Sequence, residues 1–234
     1  MTACVRLLLL FSLALGCALS TTIQQIPCGE FKTFAQLEEA GSCSSGDFTY
    51  KNFSFQVGEG SVPLSASQIN VGFSQNPAAL GVRFSSSGFA VTGQQTSLYF
   101  LSYLIDPPPV IIRGFEEDME TFTPVAPGRA DINTSLCIGG TFDGECFGDE
   151  FRTLSVFHHG NADDPQTHAS VFFEKNTNIV DVQHEISLIA NGASADFRAL
   201  SNGILLNDVP EPTTLGLIGG GLAILGLLRR ARKS

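Results

Sequence analysis

Short runs of Phe, Val, Ile, Leu and Tyr recur along most of this chain, separated by clusters of Gly, Ser, Asn and Pro at intervals of roughly ten residues. Pieces that short cannot bury themselves as helices, but they can pair edge to edge and hide one face of each sheet. The pattern predicts a mainly β chain, an antiparallel β-sandwich or jelly-roll-like body, and no exact repeat suggests a solenoid. Ile69–Phe73 alternates apolar and polar, and Val82–Phe84 and Phe89–Val91 are shorter pieces of the same kind. In Phe48–Val57 the parity of the alternation switches between Tyr50 and Phe53, which predicts a β-bulge at Lys51-Asn52. Leu98–Ile105 is apolar almost throughout and halts at Asp106-Pro-Pro-Pro109, where three missing backbone donors forbid further pairing, so it reads as a central strand. Further strands are expected around Leu136–Ile138, Leu154–Phe157, Ser170–Phe173, Ile179–Val182 and Glu185–Ala190.

One short helix is expected near the start of the body. Thr33 and Gln36 have the spacing of a capping box, Phe31, Phe34 and Leu37 share a face, and Gly41 can end the turn.

The two ends differ from the body. Residues 1–20 have a basic Arg6, an apolar core from Leu7 to Leu15 and small residues at Ala18-Leu19-Ser20, the pattern of a signal peptide cut after Ser20 or, as the nearby alternative, after Ala18. A lipoprotein reading of Cys17 fits less well, because Ala14 stands where a Leu is expected. Loss of the leader leaves Cys28, Cys43, Cys137 and Cys146, an even set in an oxidising compartment. Three pairings are open, and the two close pairs, Cys28–Cys43 and Cys137–Cys146, are the simplest. The Asp143-Gly144 pair suits a tight turn that would bring Cys137 and Cys146 together near a hairpin. Zinc ligation is the weaker reading, since no C-x-x-C pair is present.

Charge separates body from tail. Residues 21–208 carry 8 Lys/Arg against 22 Asp/Glu, while Arg229, Arg230, Arg232 and Lys233 form a basic end. The acidic body repels nucleic acid and anionic surfaces, so no nucleic-acid partner is expected. The sequence therefore divides into a signal peptide (1–20), a β-sandwich body (21–207) and a tail (208–234).

Catalytic and metal signatures are scarce. His158-His159 and Asp163-Asp164 through His168 form the densest polar cluster, but neighbouring strand side chains point to opposite faces, which favours a solvated loop. Asp143, Glu145, Asp149 and Glu150 lack the EF-hand pattern, and Asp181, His184 and Glu185 read as ordinary surface groups among strand residues. No nucleophile elbow, H-E-x-x-H or phosphate loop is present. No catalytic residue, metal site or cofactor is expected, and the body reads as non-catalytic. A carbohydrate-binding β-sandwich module is the alternative; against it stand the absence of Trp and the three Tyr, and the 19 Phe suit a core better than a wet sugar site.

In the tail, Thr213–Leu228 supplies sixteen uncharged, mainly apolar residues, about 24 Å at helical rise. Its glycines suit lipid better than water, and the basic end should stay on the cytoplasmic side, so a C-terminal transmembrane helix with the body outside is expected. Pro210-Glu211-Pro212, an apolar helix and Arg229-Arg230 together resemble the PEP-CTERM sorting domain of exported Gram-negative bacterial proteins. The resemblance implies an exosortase as processing partner, a transient inner-membrane intermediate, and a mature protein at the cell surface, associated with exopolysaccharide. Physically, the two prolines keep the motif extended and accessible at the membrane face, and Glu211 offers one carboxylate to recognise.

Overall fold

The computed structural model describes residues 26–74, 80–106, 112–120, 127–160 and 165–206. In chain order, a 3-10 turn at Cys28–Glu30 and helix α1 (Phe34–Ala40) precede β1 (Ser42–Ser45), β2 (Phe48–Val57), β3 (Asn70–Ser74), β4 (Gly81–Ser85), β5 (Ala90–Gly93), β6 (Thr96–Asp106) and β7 (Ile112–Glu120). There follow β8 (Arg129–Ile138), β9 (Thr141–Asp143), β10 (Glu145–Phe147), β11 (Glu150–His159), β12 (His168–Thr177), β13 (Val180–Ile189), β14 (Ala193–Asp196) and β15 (Ala199–Leu206).

Two sheets face each other. One has six strands in the order β1-β2-β6-β13-β8-β11, the other five in the order β12-β7-β15-β4-β3. The strand pairs within them are all antiparallel. From β6 to β8 and from β11 to β13 the chain crosses between sheets at each connection, the habit of a jelly roll. As expected, β6 is internal, paired with β2 on one side and β13 on the other. The expected bulge is present too: Asn52 and Phe53 of β2 face the single Tyr103 of β6, with Asn52 in the left-handed region at φ 58°. The extra residue returns Phe53 to the buried face already used by Phe48 and Tyr50.

The core between the sheets is aromatic. Phe34 packs edge-on against Phe53 at 5.9 Å and Phe84 at 5.7 Å, and Phe84 lies 5.8 Å from Tyr103. Each such fully buried apolar side chain contributes about 1.5–3 kcal/mol relative to exposure. α1 carries Phe34 and Leu37 into this core. Gln36 Oε1 accepts the Thr33 N–H at 3.2 Å, as a capping box requires, and Gly41 ends the helix at φ 72°. Cys28 and Cys43 are bonded, tying the first turn to β1 beside the helix.

Several strands were hidden in the sequence. The expected breaks at 183–184 do not exist: β13 runs unbroken from Val180 to Ile189, because His184 occupies an inward position in a row otherwise held by Val182 and Ile186. β7 was concealed by its acidic run Glu116-Glu117-Asp118, although Phe115, Glu117 and Met119 alternate inward. The first half of β8 and all of β15 were missed because polar residues interrupt their apolar positions, Thr134 in one and Asn202 in the other.

Candidate functional site

Strand register places two polar rows across the outer face of the six-stranded sheet. One row runs Gln56, Phe100, Glu185, Asn133, Ser155 over five strands; the next runs Ser54, Ser102, Gln183, Ser135, Thr153. The rows arise from simple alternation, since their neighbours along each strand, such as Leu101, His184 and Thr134, point into the core. Their members on β2, β6, β13 and β8 line a groove of about 320 Å³. Phe100 presents an exposed apolar ring at its floor, and Glu185 is the one charged member of either row.

One side of this face is covered by the hairpin of β9 and β10, which turns at Gly144 (φ 78°). The Cys137–Cys146 bond fastens β10 to the outward side of β8. The Phe142 N–H then donates to Asp181 Oδ2 at 3.0 Å, and Phe142 meets Phe151 edge-on at 6.3 Å. Burial raises the Asp181 carboxyl above its ordinary range, against the two backbone donors that lower it. Asp181 is thus a structural acceptor, and Leu104 beside it in register is buried despite facing outward.

The outer face of the five-stranded sheet differs. Arg83 grips Glu120 with two nitrogens, Nε at 2.9–3.0 Å and Nη2 at 2.8 Å, and Ser201 Oγ donates to the same carboxylate. The Arg83 hydrogen bond holds the Glu120 carboxyl below its ordinary range. His168 pairs with Asp118 at 2.8 Å, and Arg113 lies over the Phe172 ring at 5.1 Å.

Between the sheets lies a buried polar set that sequence reading missed. Thr134 Oγ1 donates to Glu117 Oε1 at 2.7 Å and meets His184 Nδ1 at 2.6 Å. If the hydroxyl donates to Glu117, His184 must carry its proton on Nδ1 and donate to Thr134. All three are closed to solvent, at 0–1 % exposure. Tyr103 Oη donates to Asn202 Oδ1 at 3.1 Å alongside, and burial raises the Tyr103 hydroxyl well above its usual range. His184 is therefore no surface group. It belongs to the core, whereas Asp181 and Glu185 face outward, so the three do not converge.

The other sequence candidates disperse as well. His159 pairs with Asp131 at 2.6 Å on the six-stranded sheet, far in topology from His168. Asp163 and Asp164 lie outside the described residues. Glu150 binds Arg152 and the Glu174 N–H, and Asp149 sits 3.8 Å from Lys175. Among the described residues no three His, Cys, Asp or Glu side chains gather as metal ligands would. Pro210, Glu211, Pro212, Arg229, Arg230, Arg232, Lys233 and the expected transmembrane helix lie outside the described residues. Among the described residues, no helix is long and apolar enough to cross a membrane.

The fold is thus an antiparallel β-sandwich, and the chain carries a sorting signal behind it: residues 208–233 match the PEP-CTERM protein-sorting motif. No curated protein matches the chain. Among solved structures it is similar to the carbohydrate-binding module TmCBM61, in complex with β-1,4-galactotriose, at 11% identity, 64% of this chain, 86% of that one and a TM-score of 0.31. It is similar also to TmCBM27, a carbohydrate-binding module that recognises mannan, at 9% identity, 74% of this chain, 92% of that one and a TM-score of 0.31. Likeness at this level carries no functional argument, and the strand order above defines the fold by itself.

Proposed function

We propose that the chain is an exported, non-catalytic cell-surface protein whose tail is a sorting signal processed by an exosortase. The match of residues 208–233 to the PEP-CTERM motif carries the reading. Thr213–Leu228 and the basic end hold the exported chain in the inner membrane with Pro210-Glu211-Pro212 outside, and cleavage at or near that motif passes the body to the surface or exopolysaccharide matrix of a Gram-negative cell. The two disulfides fit such a route, because bonds of this kind persist in oxidising compartments. Support for a non-catalytic body comes from the trio Glu117, Thr134 and His184, whose hydrogen bonds suit proton transfer but which is closed to solvent in the folded sandwich.

The direct test is mass spectrometry of the mature C-terminus in a host with an exosortase. Glu211→Ala should be exported yet remain uncut in the inner membrane, and deletion of residues 213–234 should release the body as a soluble periplasmic protein. Surface-recovered protein that still carries Arg230 and Lys233 would show a permanent anchor instead and defeat the sorting reading.

A further inference from the structure

Among the described residues, the outer face of the six-stranded sheet keeps a row of hydrogen-bonding side chains open. On the five-stranded sheet, Arg83, Glu120, Ser201, Asp118 and His168 satisfy one another. On the six-stranded sheet, Gln56, Ser102, Gln183 and Glu185 make no side-chain hydrogen bond within the described residues, while Ser155 donates to Asn133 at 2.8 Å and fixes its amide. Amides and hydroxyls with hydrogen-bonding capacity left open, around one carboxylate that can accept from a hydroxyl, are the complement of a polyhydroxylated, uncharged ligand. Phe100 adds an apolar surface among them, suited to the C–H face of a sugar ring.

The dimensions narrow the occupant. Neighbouring strands lie about 4.8 Å apart and same-face residues along a strand about 6.8 Å, so two rows over the four strands that line the groove make a strip of about 14 by 7 Å. A stable protein partner needs about 800 Å² per side, several times that footprint. An extended peptide would seek a sheet edge, where backbone groups are free, and this is a sheet face. Polyanions are opposed by Glu185 and by the excess of Asp and Glu over Lys and Arg in the body. We infer that the outer face of the six-stranded sheet binds a single linear chain of an uncharged polysaccharide, laid across the strands with one sugar on Phe100 and its hydroxyls on Gln56, Gln183 and Asn133. The β9–β10 hairpin, fastened by Cys137–Cys146 and bonded to Asp181, covers the neighbouring row of the same face.

The inference rests on the surface-protein reading only for where such a polymer is met, and its test does not involve the tail. Calorimetric titration of the exported protein, as recovered from its host, with neutral hexasaccharides of glucose, mannose and galactose and with an acidic oligogalacturonate should show binding to at least one neutral chain and none to the acidic one. Phe100→Ala should weaken that binding at least tenfold, and Gln183→Ala, on another strand, several-fold, with unfolding temperatures near that of the parent. Phe172→Ala, an exposed aromatic on the opposite sheet, should leave affinity unchanged. Absence of neutral-chain binding, preference for the acidic chain, or affinity untouched by both groove variants would overturn the site. Failure of tail cleavage would leave these titrations as they are.

Discussion

The two outer faces of the sandwich obey the same alternation rule, yet one carries two mainly uncharged rows with open hydrogen-bonding groups across its middle and the other a set of charged side chains paired with each other. Both have wet residues at every second position, and both cover the same aromatic core. On the five-stranded side, His168 stands directly opposite Asp118 in register and pairs with it, and the long Arg83 side chain reaches across β15 to Glu120. On the six-stranded side the two rows hold amides, hydroxyls, a phenyl ring and the Glu185 carboxylate; Ser155 donates to Asn133, while Gln56, Ser102, Gln183 and Glu185 make no side-chain hydrogen bond within the described residues. The comparison separates a face that stabilises itself from one that is left available. Among the described residues, only the six-stranded face has a covalent fixture, the disulfide that holds the β9–β10 hairpin over it.

The largest effect should come from the layer both faces share. Thr134→Val removes the hydroxyl that joins Glu117 to His184 and leaves these two buried groups only their 3.4 Å approach to each other, so we expect a loss of about 3 kcal/mol in denaturant unfolding. A loss below about 1 kcal/mol would show that the set is not a stabilising unit. Next, Cys137→Ser with Cys146→Ser should cost about 2–3 kcal/mol. It should also raise proteolysis within residues 141–147, whereas the opposite face, which has no such fixture, should keep its cleavage pattern.

Smaller effects should distinguish positions within the charged face. A Cβ on Gly81 would overlap the backbone carbonyl of Asn202, while one on Gly203 would meet chiefly the flexible Glu116 side chain. Gly81→Ala should therefore cost about 1–3 kcal/mol and Gly203→Ala clearly less, by thermal unfolding. Equal costs would mean that β15 shifts as readily as a side chain does. The least costly change is Arg83→Ala, at most about 1 kcal/mol near pH 7, because the pair is partly exposed. Its signature lies in pH dependence. Glu120 is held below its ordinary range, so its contribution is present above the unfolded carboxylate pKa of about 4.3 and is lost as pH falls through the lower folded value. The variant should show a shallower loss of stability on acidification over that window, and an unchanged acid limb would count against the Arg83–Glu120 pair as its source.

Much of the architecture was legible in the residues alone. Alternation gave the β class and the parity switch gave the bulge at Asn52, because side-chain period in a strand is a property of local covalent geometry. Thr33, Gln36 and Gly41 gave the helix ends, since capping uses neighbours three or four residues apart. The two disulfides follow from short separations of 15 and 9 residues. The sorting signal is linear, and linear signals need no fold to be read.

Tertiary structure alone decided the rest. His184 looked like a surface group because nothing in its neighbourhood along the chain supplies a buried partner; Thr134 comes from β8 and Glu117 from the other sheet. A buried polar residue is tolerated only where such partners meet it, and their meeting is set by sheet packing rather than by spacing. The same holds for the groove. Gln56, Phe100, Glu185, Asn133 and Ser155 are spread over a hundred residues of sequence, and they form one row only because antiparallel register aligns five strands that are not consecutive in the chain.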